Sequence, residues 1–157
     1  MKQITGTILA ALALFSCNTT VKTDTDPEAK VDNPLVGTWQ LVSGTLVEKG
    51  DTTVTDYTKK VSFIKIINNS HFAFTQHDLT KGKDSGAVFS SGAGRYDLKD
   101  STYTEHLEYC SAREWEGNDF TFTVTIQNDT LIQRGIEKIE SEGIDRLNIE
   151  KYFRVKN

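Results

Sequence analysis

From Tyr103 to Tyr109 the sequence runs Tyr-Thr-Glu-His-Leu-Glu-Tyr, and in an extended chain every second side chain shares a face. Tyr103, Glu105, Leu107 and Tyr109 then make one row, with a carboxylate set among aromatic and aliphatic groups. A carboxylate is costly to bury without a partner. An inward row therefore predicts a hydrogen-bond partner for Glu105, drawn from Tyr96, Gln76, Gln133 or Arg134, or else a bound ligand. Gln76 keeps the parity of Phe72 and Phe74, and Gln133 keeps that of Leu131. Polar tips on apolar stripes suit a pocket with a few orienting groups, and they suit a wet barrel mouth equally well. The opposite register would turn Thr104, His106 and Glu108 inward instead, and the sequence leaves both open.

Other chemistries find less support. His71 and His77 share parity but lie six residues apart, which along a strand is about 20 Å, too far for one metal ion. His106 would have to join them from elsewhere, so no metal is expected. Ser90-Ser91-Gly92-Ala93-Gly94 is small and flexible, but it lacks the strand–loop–helix setting of a phosphate cradle; a bulge or bend in a long strand fits it better. Cys110 ends a strand-like run with no Lys or His arrangement that would lower its pKa, and reads as a structural thiol. Arg113-Glu114-Trp115-Glu116 lies between two strands; its Trp either meets a partner or folds back over apolar side chains. The formal net charge of −4, without a basic stripe, argues against nucleic acid, whose phosphates dominate such affinities. No cofactor is implied.

The elements that must position these groups are strands. Segments 37–48, 57–67, 70–77, 86–98, 101–110, 119–127, 130–138 and 147–155 alternate or are rich in branched and aromatic residues. Asn68-Asn69, Lys99-Asp100, Glu116-Gly117-Asn118 and Asn128-Asp129 supply the left-handed backbone that tight hairpins need. Phe120, Phe122, Val124 and Ile126 fall on one face and threonines on the other, one dry and one wet, as in an antiparallel sheet covered on one side. Residues 136–145 allow a helical turn at most. The expected fold is all-β: a single antiparallel up-and-down barrel of eight strands, whose closure removes exposed edges. Such a barrel has room inside for side chains or one small ligand.

Ahead of the barrel, Met1-Lys2 gives a positive start, Ile4 to Phe15 a mostly apolar run, and Ser16-Cys17 its end. This is the order of a secretory signal, and the run is too short to span a bilayer as a helix. Leu14-Phe15-Ser16-Cys17 resembles the lipobox of bacterial lipoproteins, which implies cleavage after residue 16 and a diacylated Cys17. Residues 18–33 are polar and read as a flexible tether, so that Cys17 and the tether together span 17–33 and the barrel 34–157.

Gly37-Thr38-Trp39 resembles the Gly-X-Trp motif of lipocalins and related calycins, and Tyr152-Phe153-Arg154 places an Arg where that superfamily sets one across the Trp. Gly94-Arg95-Tyr96 and Tyr103-Thr104-Glu105 further resemble motifs of small lipocalin-like lipoproteins of Gram-negative bacteria. The resemblance covers roughly residues 34–157 and implies a cation–π closure of one barrel end by Trp39 and Arg154. The chain departs from true lipocalins in lacking their C-terminal helix and disulfide, and from fatty-acid-binding proteins in lacking a helical lid.

The expectation is a noncatalytic, lipid-anchored barrel in the cell envelope, facing the periplasm from the outer membrane. It would bind a small hydrophobic or amphipathic ligand through Tyr96, Tyr103, Glu105, Tyr109, Gln76 and Gln133. A structural or interaction protein with a filled core and a loop-borne partner site, near Trp115 or in residues 78–91, is the alternative, and an enzyme using Glu105 as acid or base beside Tyr96 or Tyr103 is a third. The anchor has its own test: cells fed a clickable palmitate analogue should label the protein, and Cys17→Ser should abolish the label and release the protein from membranes. Label retained on the Cys17→Ser protein would refute lipidation at that residue.

Overall fold

The computed structural model describes residues 33–156; the expected signal segment and Cys17 lie outside them. Nine strands follow one another: β1 (Gly37–Glu48), β2 (Asp51–Asp56), β3 (Val61–Ile67), β4 (His71–Asp78), β5 (Phe89–Lys99), β6 (Thr102–Cys110), β7 (Asp119–Gln127), β8 (Thr130–Ile139) and β9 (Ile144–Arg154). Only two 3-10 turns interrupt them, at Arg113–Trp115 and Glu140–Glu142.

Each strand from β3 to β8 pairs antiparallel with the next, and β1 pairs with both β3 and β9, closing an eight-stranded barrel. β2 is a branch outside this ring. It pairs with Ser43–Glu48 of β1, whereas β3 meets β1 only at Gly37–Gln40. The wall therefore divides along β1, and Tyr57 fills the division: its backbone N–H donates to the Val42 carbonyl at 3.0 Å, and its ring lies against Gly44. Reading 57–67 as one strand missed β2. Every residue of Asp-Thr-Thr-Val-Thr-Asp is exposed, so no buried face left an alternation to detect.

Hairpin chemistry follows the turn residues. Asn128 and Asp129 both take positive φ, 48° and 60°, as a two-residue type I′ turn requires. Lys49 and Gly50, with φ of 52° and 90°, do the same between β1 and β2.

The interior is layered. Trp39, Phe72, Tyr103, Leu131 and Tyr152 are buried and pack one end solid, with Leu35 folded beneath them. A bulge resets the other end. Gly94 faces Leu107 while Ala93 faces Tyr109, so Glu108 is the extra residue on β6. One extra residue flips the parity of everything beyond it. Tyr103, Glu105 and Leu107 point inward, but Tyr109 points out and is 66% exposed. The expectation that Tyr109 completes the inner row is thus corrected.

Gly94 permits this crossing, since a Cβ there would collide with the His106 carbonyl oxygen and press on backbone atoms of His106 and Glu108. Gly94→Ala should destabilise the barrel by about 1–3 kcal/mol, as overpacking does, measured by urea unfolding. Unchanged stability would mean the bulge accommodates a side chain.

Candidate functional site

β3 reads Val-Ser-Phe-Ile-Lys-Ile-Ile and sends Phe63, Lys65 and Ile67 inward, so a lysine stands in the middle of the barrel. Its parity with Phe63 and Ile67 was the available signal. Ile64 and Ile66 offer an equally apolar opposite face, which hid it. Lys65 is only 2% exposed. Its Nζ donates to Glu105 Oε1 at 2.7 Å and to Gln133 Oε1 at 3.1 Å. It also lies within 5.4–6.0 Å of the centroids of Phe72, Tyr103 and Tyr152. Burial alone would lower the lysine's pKa, but the carboxylates of Glu105, Glu150 and Glu137 outweigh it and raise the pKa above its ordinary value. The ammonium therefore stays charged.

Beneath this layer, the Tyr103 hydroxyl is buried with no hydrogen-bond partner among the described residues. Burial, and then the Glu105 carboxylate, push its pKa far up, so it remains a neutral phenol.

Above the layer the barrel is hollow. A half-open cavity of about 290 Å³ has Lys65, Glu105 and Gln133 in its lining. Phe63, Phe74, Leu107, Phe120 and Phe122 supply apolar wall. Toward the mouth, Glu137 accepts from Arg146 Nε and from Asn148 Nδ2, each at 2.7 Å. Burial raises the Glu137 pKa, and the Arg146 charge opposes that rise. The 3-10 turn at Arg113–Trp115 folds back because the Gly117 N–H reaches the Leu107 carbonyl and the Cys110 N–H reaches Glu116 Oε1, both at 2.8 Å. Trp115 is thereby laid between the Arg146 guanidinium, 5.1 Å from its ring, and the Phe120 ring at 5.6 Å. Of the two readings of Trp115, folding back over the barrel is the one found.

Glu105 and Gln133, expected at the site from sequence, meet there with Lys65. Tyr103 sits just under the floor. Tyr96 belongs to the packed end: its hydroxyl donates to the Asn68 carbonyl at 2.6 Å and accepts from Asn33 at 2.7 Å, outside the cavity lining. Gln76 is half-buried and accepts from Ser90 Oγ at 3.4 Å, also outside the lining. Arg134 is exposed and does not approach Glu105. Arg154 lies 4.0 Å over the Trp39 ring and donates to the carbonyls of Val36 and Pro34, while Trp39 Nε1 donates to Leu35 at 2.8 Å. This knot seals the packed end. Cys110 is a half-buried free thiol in the cavity lining. His106 lies outside, between Asp97 at 3.0 Å and Asp119 at 2.8 Å, whose hydrogen bonds raise its pKa. Among the described residues no His, Cys, Asp and Glu cluster is placed to hold a metal ion.

Residues 34–157 match the sequence family described as "Domain of unknown function (DUF4488)". No curated protein matches the chain. A crystal structure of an uncharacterised protein from Bacteroides eggerthii DSM 20697 aligns with 15% identity and a TM-score of 0.45, covering 76% of this chain and 98% of that one.

Removing one member of the buried pair should be far worse than removing both. Lys65→Met strands the Glu105 carboxylate and should cost about 3–5 kcal/mol in urea unfolding. Lys65→Met combined with Glu105→Leu should recover most of that loss. A double variant as unstable as the single one would show that the pair is not what holds this layer.

Proposed function

The chain belongs to the DUF4488 family, and we propose that it is a noncatalytic, lipid-anchored β-barrel of the cell envelope that takes a small, partly apolar molecule into its hollow end. The observation that carries this reading is a cavity whose walls are aromatic and whose floor keeps hydrogen-bonding capacity unused. Glu105 is 6% exposed and engages Lys65 through one oxygen. Gln133 is 2% exposed; its carbonyl end is held by Lys65, so its amide nitrogen turns away without a partner among the described residues. Neither atom is sealed in, since the Tyr103 hydroxyl alone is buried without a partner among the described residues; both open toward the cavity, where a ligand can bond them in place of water. The volume, about 290 Å³, sits at the lower end of the range of about 300–1,000 Å³ usual for ligand pockets, so the molecule is small.

The lipid anchor rests on the Leu-Phe-Ser-Cys run ending at Cys17 and on the polar stretch 18–33, which would hold the barrel clear of the bilayer. A periplasm-facing outer-membrane position is the accompanying proposal. The interaction-protein alternative combines a filled core with a partner site near Trp115 or in residues 78–91. The cavity and the packing of Trp115 on Arg146 and Phe120 favour the ligand-binding reading over a filled core.

Leu107 lines the cavity and is 5% exposed, so Leu107→Trp should fill the space without touching the polar floor. Fluorescence titration with 1-naphthalenemethanol, a neutral two-ring probe, should saturate on the natural chain. Its affinity should fall at least about tenfold, 1.4 kcal/mol, on a folded Leu107→Trp variant. Equal binding by both would place the probe elsewhere and defeat the cavity reading.

A further inference from the structure

The cavity lining holds three carboxylates, Glu105, Glu137 and Glu150, against two cations, Lys65 and Arg146. Each cation has its own carboxylate at contact distance: Lys65 meets Glu105 at 2.7 Å and Arg146 meets Glu137 at 2.7 Å. Glu150 is left over. Its Oε2 accepts from the Tyr152 hydroxyl at 2.8 Å, and no Lys, Arg or His nitrogen lies within 4.0 Å of it among the described residues. Opposite Glu150 across the β8–β9 ladder stands Gln133, whose carbonyl oxygen is held by Lys65 and whose amide nitrogen opens toward the cavity. Directly opposed residues on one face bring their Cβ atoms to about 4.5–5.5 Å, so the surplus carboxylate and the unused donor form one subsite.

The surplus charge is felt across the cavity. After burial itself, Glu150 is the group that most strongly pushes up the hydroxyl pKa values of Tyr57 and Tyr152. Around this subsite stand ring faces: Phe63 and Phe74 are stacked at 5.4 Å, and Trp115 and Phe120 lie beyond. Aromatic faces attract cations, and in a partly desolvated cavity an uncompensated carboxylate repels an anion strongly.

Resting on the cavity reading above, we propose that this barrel selects a small organic cation: a protonated amine on a flat apolar body. The ammonium is taken by the free oxygen of Glu150, the body lies against the aromatic walls, and an acceptor atom on the ligand, where present, meets the Gln133 amide. Neutral molecules of the same shape bind more weakly, and carboxylates are turned away.

A matched series tests this on the full chain at neutral pH. The probes are 1-naphthylmethylamine, 1-naphthalenemethanol and 1-naphthoic acid, which share one ring system and differ in charge. Calorimetric titration should rank the amine at least about tenfold tighter than the alcohol, with the acid weakest. Glu150→Gln should erase the amine's advantage over the alcohol. An acid binding as tightly as the amine, or an amine preference that survives Glu150→Gln, overturns the proposal. If the alcohol binds and the amine binds no better, the charge selection fails while the cavity reading stands; if none of the three binds, both fail. The natural chain's own ranking decides the matter even if Glu150→Gln does not fold.

Discussion

Lys65 and Glu105 divide this barrel in two, and most of its other features follow from having to accommodate them. An interior only about wide enough for side chains ordinarily fills with apolar groups from end to end. Here an ammonium and a carboxylate meet at 2.7 Å in its middle, and each loses several kcal/mol of hydration. Their attraction offsets part of that loss. The Gln133 oxygen and the three ring faces around Nζ offset more. Below the pair, those rings belong to the packed end. Above it, a further apolar layer would have sealed in one Glu105 oxygen and the Gln133 amide nitrogen with nothing to bond. A hollow upper half leaves them reachable. The cavity is thus a consequence of the ion pair's chemistry as much as a space left by small residues.

The packed end makes the hollow end tolerable. Arg154 over Trp39, with its guanidinium nitrogens on the carbonyls of Val36 and Pro34, ties the last strand to the segment entering the first. Trp39 bonds the same segment through Leu35. Barrel closure is therefore enforced at the end where the core is solid. At the other end β1 turns from β3 to β2 and the wall parts around Tyr57. A fold clamped at one rim can afford an open opposite rim.

Where the sequence was legible, burial had left a periodic mark. The Phe120–Ile126 alternation and the Asn128-Asp129 turn follow from local rules acting on nearby residues, whereas the Trp39–Arg154 registry joins distant ends of the chain and was legible only through the resemblance of its two short motifs to a known family. What was illegible depended on non-local facts. The small run Ser90–Gly94 pointed to a bulge, but which strand carries the extra residue is decided by pairing: it is β6, at Glu108, and that turned Tyr109 outward. Lys65 was hidden because both faces of β3 are apolar, so the partner of Glu105 came from a residue outside the candidates that the sequence offered. β2 has no buried face and left no pattern at all.

The same groups link stability to occupancy. An empty floor leaves the Gln133 donor and the Glu150 carboxylate in a partly desolvated space, which lowers the stability of the folded chain relative to a barrel packed throughout. Filling that space with a molecule that bonds both stabilises only the folded state, so stability must rise with the concentration of such a ligand. A filled apolar core would be insensitive to what surrounds it. If the proposed cation is its ligand, a barrel that keeps a charged floor at the cost of packing would instead register that molecule through its own stability.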